Sequence, residues 1–514
     1  MIYLFDHILI NYYLPLVFII FLSMIIFVLF NHKSLLNFIK KSFDKKNMIL
    51  LSIIFLIGLF IRIHYFQPND HIESIASEYK LGAKTFLVNQ KYQLCLSGNI
   101  TQCENSRLPR HVWGYPFLLS LFFKFFGISN QSAHLFNFII SLASIPLAYL
   151  LTFAFFKNKK ASLVSSLILA VSFMHINWTT RNEVTILNVF FIGLSFLFLK
   201  LSMNSDDIKM YVLSFFTVLL TIQIRAENAL LLFIVFIVFL SNFKKLQIKK
   251  YFRKDPYHIL LNLLTFCLIF IMLFFTYISV RHASGQHGEN IIDFNYIRLQ
   301  IPFLVQFWSH SLHLFFLIPI ILFLTNKKNL MKSIAPLIFL IIHTIMVIIF
   351  RANTPSYGNT ERYLMNSYII IVWFAGISII FLINKVISYL KIKNFRLIFF
   401  ILFFIFLSAY SIRENQGSID GINYADSCGL MDELLKDLDP EYVVINTLEG
   451  MEYIQFASET KTEFRYDLSP EKITEKSTNR YYIEWLHMCD NVKCLSTDKK
   501  HFLKKGNFVV YNIM

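Results

Sequence analysis

The chain has 514 residues, 56% of them hydrophobic, and a mean hydropathy of +0.55. Soluble domains are about 45–50% apolar, so this much apolar surface excludes a single water-soluble core. The formal charge of +16 does not indicate nucleic acid, because the basic residues are spread over short connectors and form no basic domain or RNA-binding motif.

In chain order, Ile8–Phe30 is long enough to span a bilayer. Its start is not basic and no small-residue cleavage site follows it, so it reads as a retained helix rather than a signal peptide. A lysine-rich connector follows, and Met48–Phe66 spans again, with Arg62 and His64 near its far end. Residues 67–131 form a long outer loop carrying acids that are scarce in the apolar half of the chain. Within it, Gly114–Phe126 is apolar but too short to span, and is expected to lie along the interface.

Further spans are expected at Ser132–Phe156, Ala161–Ile176, Val184–Leu201, Tyr211–Ile224, Ala229–Phe243, Tyr257–Val280, Ile301–Leu324, Ser333–Phe350, Tyr363–Ile383 and Leu397–Ser411. That makes about twelve transmembrane helices in residues 1–413. Lysine-rich connectors fall on one side and the acid-bearing segments on the other, so positive-inside asymmetry puts the latter outside the cytoplasm. From Glu414 onward charge rises and apolar runs shorten. There "EYVVIN", "NRYYIEWL" and "NFVVYNIM" read as strands, and "GLMDELLKDL" and "EGMEYIQFA" as helices, so 414–514 is expected to be a small extracytoplasmic α/β domain.

Each candidate functional residue has a plainer alternative. Glu183 opens an apolar helix, where an acid also serves the helix dipole. Arg225 and Glu227 flank a join between two apolar runs, and a simple ion pair there is equally consistent. Glu361, Arg362 and Tyr363 sit just outside a span, where Arg and Tyr also act as interfacial anchors. Arg107 and Arg110 suit anionic lipid headgroups as well as a ligand. His282, His287, Glu289 and Asp293 match no standard metal-ligand spacing, so a divalent metal is unsupported and no cofactor is implied. Cys95/Cys103 and Cys489/Cys494 are close pairs compatible with local disulfides.

Taken together, "EYKLGAKTFLVNQKY", "GYPFLLSLFFKFFG", "HINWTTRNEVTILNVFF", "IRAENALLLF" and "ERYLMNSYIIIVWFAG" resemble segments of the polyprenyl-phosphate-sugar-dependent glycosyltransferases of the GT-C superfold, the group that includes protein mannosyltransferases and aminoarabinose transferases. "EYKLGAKTFLVNQKY" resembles the family's Tyr-x-x-x-Ala pattern at Tyr79 and Ala83. "GYPFLLSLFFKFFG" is similar to the end of the first outer loop, and "HINWTTRNEVTILNVFF", with Arg181 and Glu183, to the second. "IRAENALLLF" and "ERYLMNSYIIIVWFAG" resemble later Arg-bearing helix ends. The resemblance runs over about Met48–Phe381. One departure stands out: the family usually has Asp four residues before the Tyr, and here that position is Ile75. Asp70, Glu73 and Glu78 are the available acids, and on a regular helix Glu73 and Glu78 point well apart.

The resemblance implies a polytopic α-helical GT-C protein that moves a hexosyl or pentosyl group from a polyprenyl-phosphate donor to a glycan, lipid or protein acceptor, with inversion. Such a displacement needs a carboxylate to take the acceptor's proton and cations to receive the departing phosphate. The acids to fill the first role are Glu78, Glu73, Asp70 and Glu183. Arg362, with Glu361, Tyr363, Arg225, Glu227, Arg181, Arg110 and Tyr79, is expected around the donor. A lipid-linked glycan flippase or a catalytically inactive GT-C-like subunit is the alternative. A transporter would place its ionisable residues mid-span, whereas here they concentrate at helix ends.

Overall fold

The computed structural model describes residues 2–65, 76–91, 93–98, 103–107, 112–179, 183–205, 207–242, 270, 294–309, 320–349 and 362–390, and short pieces beyond 430. The helices are α1 (Ile2–Phe30), α2 (His32–Ser42), α3 (Lys45–His64), α4 (Ala76–Asn89), α5 (Gly114–Phe126), α6 (Asn130–Phe156), α7 (Lys159–Ala170) and α8 (Phe173–Thr179). They continue as α9 (Thr185–Met203), α10 (Ile208–Ile224), α11 (Leu230–Asn242), α12 (Phe294–Ser309), α13 (Lys327–Ile349) and α14 (Tyr368–Leu390).

Among the described residues, six helices are long and apolar enough to cross a membrane. There are up to seven if α7 and α8, bent by 52° at their junction, count as one broken span. α5, α10 and Ala226–Ser241 are apolar but shorter. The expected spans Tyr257–Val280 and Leu397–Ser411 lie outside the described residues, apart from Phe270. Large apolar side chains such as Phe60 and Leu29 face outward, as they would toward lipid. α6, α9 and α14 instead bury most of their length and form the centre of the bundle.

Two close approaches set the helix spacing. A Cβ on Gly376 of α14 would lie 2.1 Å from Ser165 Oγ and 3.0 Å from the Ala161 carbonyl, both on α7. A Cβ on Gly114 would lie 2.4 Å from the Gln223 carbonyl oxygen, so α5 starts directly against the end of α10. Tyr13 of α1 reinforces that junction. Its hydroxyl donates to Gln223 Oε1 (2.6 Å) and accepts from the Trp113 backbone N–H (3.2 Å).

The segment between α3 and α6 contributes strands as well as helices. Strands β1 (Leu94–Gly98) and β2 (Cys103–Arg107) form a hairpin in which Cys95 stands opposite Ser106 and Cys103 opposite Gly98. β1 pairs antiparallel with β4 (Lys461–Phe464), which runs parallel to β3 (Tyr442–Ile445). β3 runs parallel to β5 (Arg480–Trp485), and β5 is followed in the sheet by β7 (Phe508–Asn512) and β6 (Leu503–Lys505). β3, β5 and β7 fall on the segments that read as strands, and the sheet extends from them into the loop. Buried Met431, Leu434, Leu435 and Leu438 join the apolar cluster around α1, α4 and α5.

The bend between α7 and α8 is held by a buried cation. Arg62 of α3 is 1% exposed. Its guanidinium donates to the Ala170 carbonyl (2.8 Å), the Leu169 carbonyl (3.3 Å), the Gly58 carbonyl (3.0 Å) and Ser141 Oγ (2.7 Å), and lies 2.9 Å from His175 Nδ1. Leu169 and Ala170 end α7, where the terminal carbonyls carry the negative end of the helix dipole. Ser172 then opens α8, its Oγ accepting from the His175 N–H (3.3 Å). Arg62→Met should destabilise the protein by roughly 2–4 kcal/mol, through the polar groups it leaves unpaired. Exposed Lys46→Gln should fall within about 0.5 kcal/mol of the parent. Thermal unfolding of the two variants in the same detergent checks this.

Candidate active site

Of the charged residues singled out in the sequence, Glu183, Arg225 and Arg362 come together where α9 begins, α10 ends and the last described span begins. Val184 occupies the N-cap of α9 and makes no side-chain capping bond, so Glu183 does not cap the helix. Its Oε2 instead lies 3.3 Å from Arg362 Nε, with both side chains about nine-tenths buried. The Asn137 side chain of α6 donates to the Glu183 carbonyl oxygen (3.2 Å), which fixes the backbone beneath the carboxylate.

Arg225 leaves the end of α10 in an extended conformation (φ −149°, ψ 128°), which turns its side chain across the bundle. Its Nη1 donates to Asn366 Oδ1 (3.2 Å) and its guanidinium lies 4.8 Å from the centre of the Tyr363 ring. Among the described residues it makes no ion pair with Glu227, so the simple flanking pair is not what forms. Glu227, in the 3-10 turn Ala226–Ala229, is near enough for its charge to act on Arg362 and on His343 of α13.

α4 brings the first loop to this place. Glu78 is 2% exposed in its first turn and Tyr79 is equally buried. The Tyr79 ring packs 5.3 Å from that of Tyr115 on α5, and its phenol feels Arg362, Arg225, Glu78 and Glu183. Burial raises that phenol well above its ordinary pKa, while the two arginines oppose the shift, so it stays protonated at neutral pH. Asp70, Glu73, Arg110, Arg181 and Glu361 lie outside the described residues, as do His282, His287, Glu289 and Asp293. Among the described residues no three His, Cys, Asp or Glu side chains are placed to hold a metal ion.

Sequence reasoning passed over a second layer of uncharged groups below the charges. Asn366 follows Arg362 by four residues, one helical turn, which was a usable signal. Asn137 and Asn188 sit alone in apolar helices, where a buried amide needs a reason. Asn228 donates to Asn188 Oδ1 (2.5 Å) and to the Thr221 carbonyl (2.9 Å), and Ser367 Oγ lies 2.9 Å from His343 Nδ1.

A buried carboxylate paired with the Arg362 guanidinium, and a second guanidinium, that of Arg225, bonded to Asn366, lie at one end of a bundle of apolar helices long enough to cross a membrane: the class is a polytopic helical membrane protein. Residues 110–279 match the family described as dolichyl-phosphate-mannose-protein mannosyltransferase. No curated protein matches in sequence. Among solved structures, the chain is similar to ArnT from Cupriavidus metallidurans bound to undecaprenyl phosphate (TM-score 0.55, 9% identity, 91% of this chain and 98% of that one). It is also similar to the archaeal oligosaccharyltransferase AglB from Archaeoglobus fulgidus, in complex with an inhibitory peptide and a dolichol-phosphate (TM-score 0.54, 14% identity, 86% of this chain and 70% of that one). At these identities the likeness is one of fold.

Breaking the ion pair from one side strands the other charge. Arg362→Met should cost about 3–5 kcal/mol, and the double variant Glu183→Gln/Arg362→Met should recover much of that loss. A double-mutant cycle on thermal or denaturant unfolding measures the coupling; simple additivity would mean that the two side chains do not share a pair.

Proposed function

We propose that the chain is a membrane glycosyltransferase that moves a sugar from a polyprenyl-phosphate donor to a glycan, lipid or protein acceptor on the extracytoplasmic face. The single observation that carries the reading is the convergence of Arg362, Arg225 and Glu183 at one end of a GT-C bundle. The family match over residues 110–279 and the lipid phosphates bound by ArnT and AglB support the same donor class. On this reading the spans outside the described residues bring the total to about twelve. Residues 1–413 form the catalytic unit, with 67–131 as its outer loop, and 414–514 form an extracytoplasmic α/β unit that packs over α4.

In the reaction, the acceptor oxygen attacks the anomeric carbon from the side opposite the phosphate. The bond from that carbon to the phosphate oxygen breaks, its electron pair stays on the phosphate, and the configuration inverts. The acceptor proton passes to a carboxylate. Arg362 and Arg225 take the charge that grows on the leaving phosphate, in surroundings where little water competes. Glu183 neutralises Arg362 until a donor phosphate takes its place, and this frees a carboxylate beside the reacting centre. Glu78 is the other described acid here, and Asp70 and Glu73 stay in the set. Glu361, Arg181 and Arg110 complete the donor surroundings in this reading.

The test is transfer from a panel of labelled polyprenyl-phosphate sugars by the purified chain in nanodiscs, with mixed membrane acceptors. Arg362→Ala and Arg225→Ala should each lower kcat by about 10²–10³. Among Glu78→Gln, Glu183→Gln, Asp70→Asn and Glu73→Gln, the base should lose about 10²–10⁴. No transfer from any donor, with the donor still bound, would overturn the enzymatic reading.

A further inference from the structure

At the end of the bundle opposite the ion pair, four lysines from four separate elements gather. α9 separates the two ends: from Thr185, on the Glu183 side, to Lys200 in its last turn is a rise of about 22 Å. Lys157 ends α6 in a left-handed cap (φ 56°, ψ 26°), which turns the chain sharply there. Its Nζ stands 5.3 Å from the Phe38 ring of α2 and 5.1 Å from the Phe153 ring. Lys200 Nζ stands 5.2 Å from the ring of Phe155, on the same helix end as Phe153. The charges of Lys157 and Lys332 of α13 both reach Lys200, and that of Lys41 of α2 reaches Lys157.

None of the four lysines has a carboxylate partner among the described residues. The described acids at this end are already engaged. Asp44 accepts from Lys159 (3.0 Å) and from the Asn47 N–H (2.8 Å), and Asp207 accepts from the Lys209 N–H (2.9 Å). Aromatic rings, rather than anions, hold Lys157 and Lys200 in place. Lys157 is pushed below the ordinary lysine range, chiefly by partial burial and secondarily by the charge of Lys41. An exposed apolar surface borders the cluster. Leu36 and Ile39 on α2, Met48 and Ile49 on α3, and Met331 and Ile334 beside Lys332 all face outward.

We propose that Lys41, Lys157, Lys200 and Lys332 form a binding site for the headgroup of an anionic phospholipid, whose acyl chains lie along the apolar side chains that border it. Point-charge ammonium donors suit a phosphodiester, and the bordering surface is what separates a lipid from a soluble phosphate. Such a lipid would tie α2, α6, α9 and α13 together at the end where, among the described residues, no ion pair joins these four helices. The site is independent of the donor centre.

The test uses the full chain in nanodiscs of phosphatidylcholine with increasing phosphatidylglycerol, and counts lipids retained on release by native mass spectrometry. A lysine held against the bound headgroup contributes about a fivefold preference, so Lys157→Gln/Lys200→Gln should weaken retention of phosphatidylglycerol roughly 25-fold. Lys157→Arg/Lys200→Arg keeps the charge and should stay within about threefold of the parent. Lys33→Gln/Lys46→Gln removes the same charge from exposed positions outside the cluster and should change retention no more than about threefold. Equal loss in the Lys33/Lys46 control, equal retention of phosphatidylcholine, or displacement of the lipid by millimolar inorganic phosphate would each overturn the proposal. Elution of all variants as the parent species keeps a folding defect from mimicking the expected loss.

Discussion

Taking a carboxylate and a guanidinium out of water is expensive, and the Glu183–Arg362 pair is where this chain has done so. The two residues sit at the starts of α9 and the span into α14, helices that both lie in the buried centre of the bundle. Holding them 3.3 Å apart requires both helices to begin at the same level. α10 must end at that level too, so that Arg225 can reach Asn366. α4 and α5 then close over the charges with Tyr79 and Tyr115.

The same logic runs through the rest of the interior. In a bundle surrounded by apolar side chains, a buried polar group must find its partner within the protein. Arg62 finds carbonyls at the end of α7, Ser141 on α6 and His175 on α8. Ser141 also accepts from Thr179, the last residue of α8, and Asn137, one turn along α6, holds the Glu183 carbonyl. One polar stripe on α6 therefore links the bend in the broken helix to the backbone of the site. The arginine in α3 touches no candidate catalytic group, yet it fixes the segment that leads to one.

The two ends of the bundle differ in how they treat charge. At the site end, opposite charges neutralise each other out of water. At the other end, Lys157 and Lys200 lean on phenyl rings, and the nearby Asp44 is taken up by Lys159. That asymmetry is the structural counterpart of the alternation of lysine-rich and acid-bearing connectors along the sequence.

Composition and periodicity determined the class of this protein. Runs of apolar residues at spanning length are a local property, and six of them appear as helices of the expected length and place. The charges at helix ends were equally legible, which is why Glu183, Arg225, Arg362 and Tyr79 were singled out and found together. Their pairings were not legible. An acid at a helix start and an arginine beside a glutamate each have a cheap local partner, and the structure passed over both: Glu183 left its helix cap and Arg225 passed over Glu227. The pairing of the loop hairpin with a strand more than 350 residues later was likewise beyond reach, because strand partners are chosen by backbone hydrogen bonds and carry little local sequence signal. The sequence by itself thus set which residues are apolar, charged or turn-forming. Only the tertiary structure decided which of them meet, because contact between distant segments is a property of helix packing and not of any one segment.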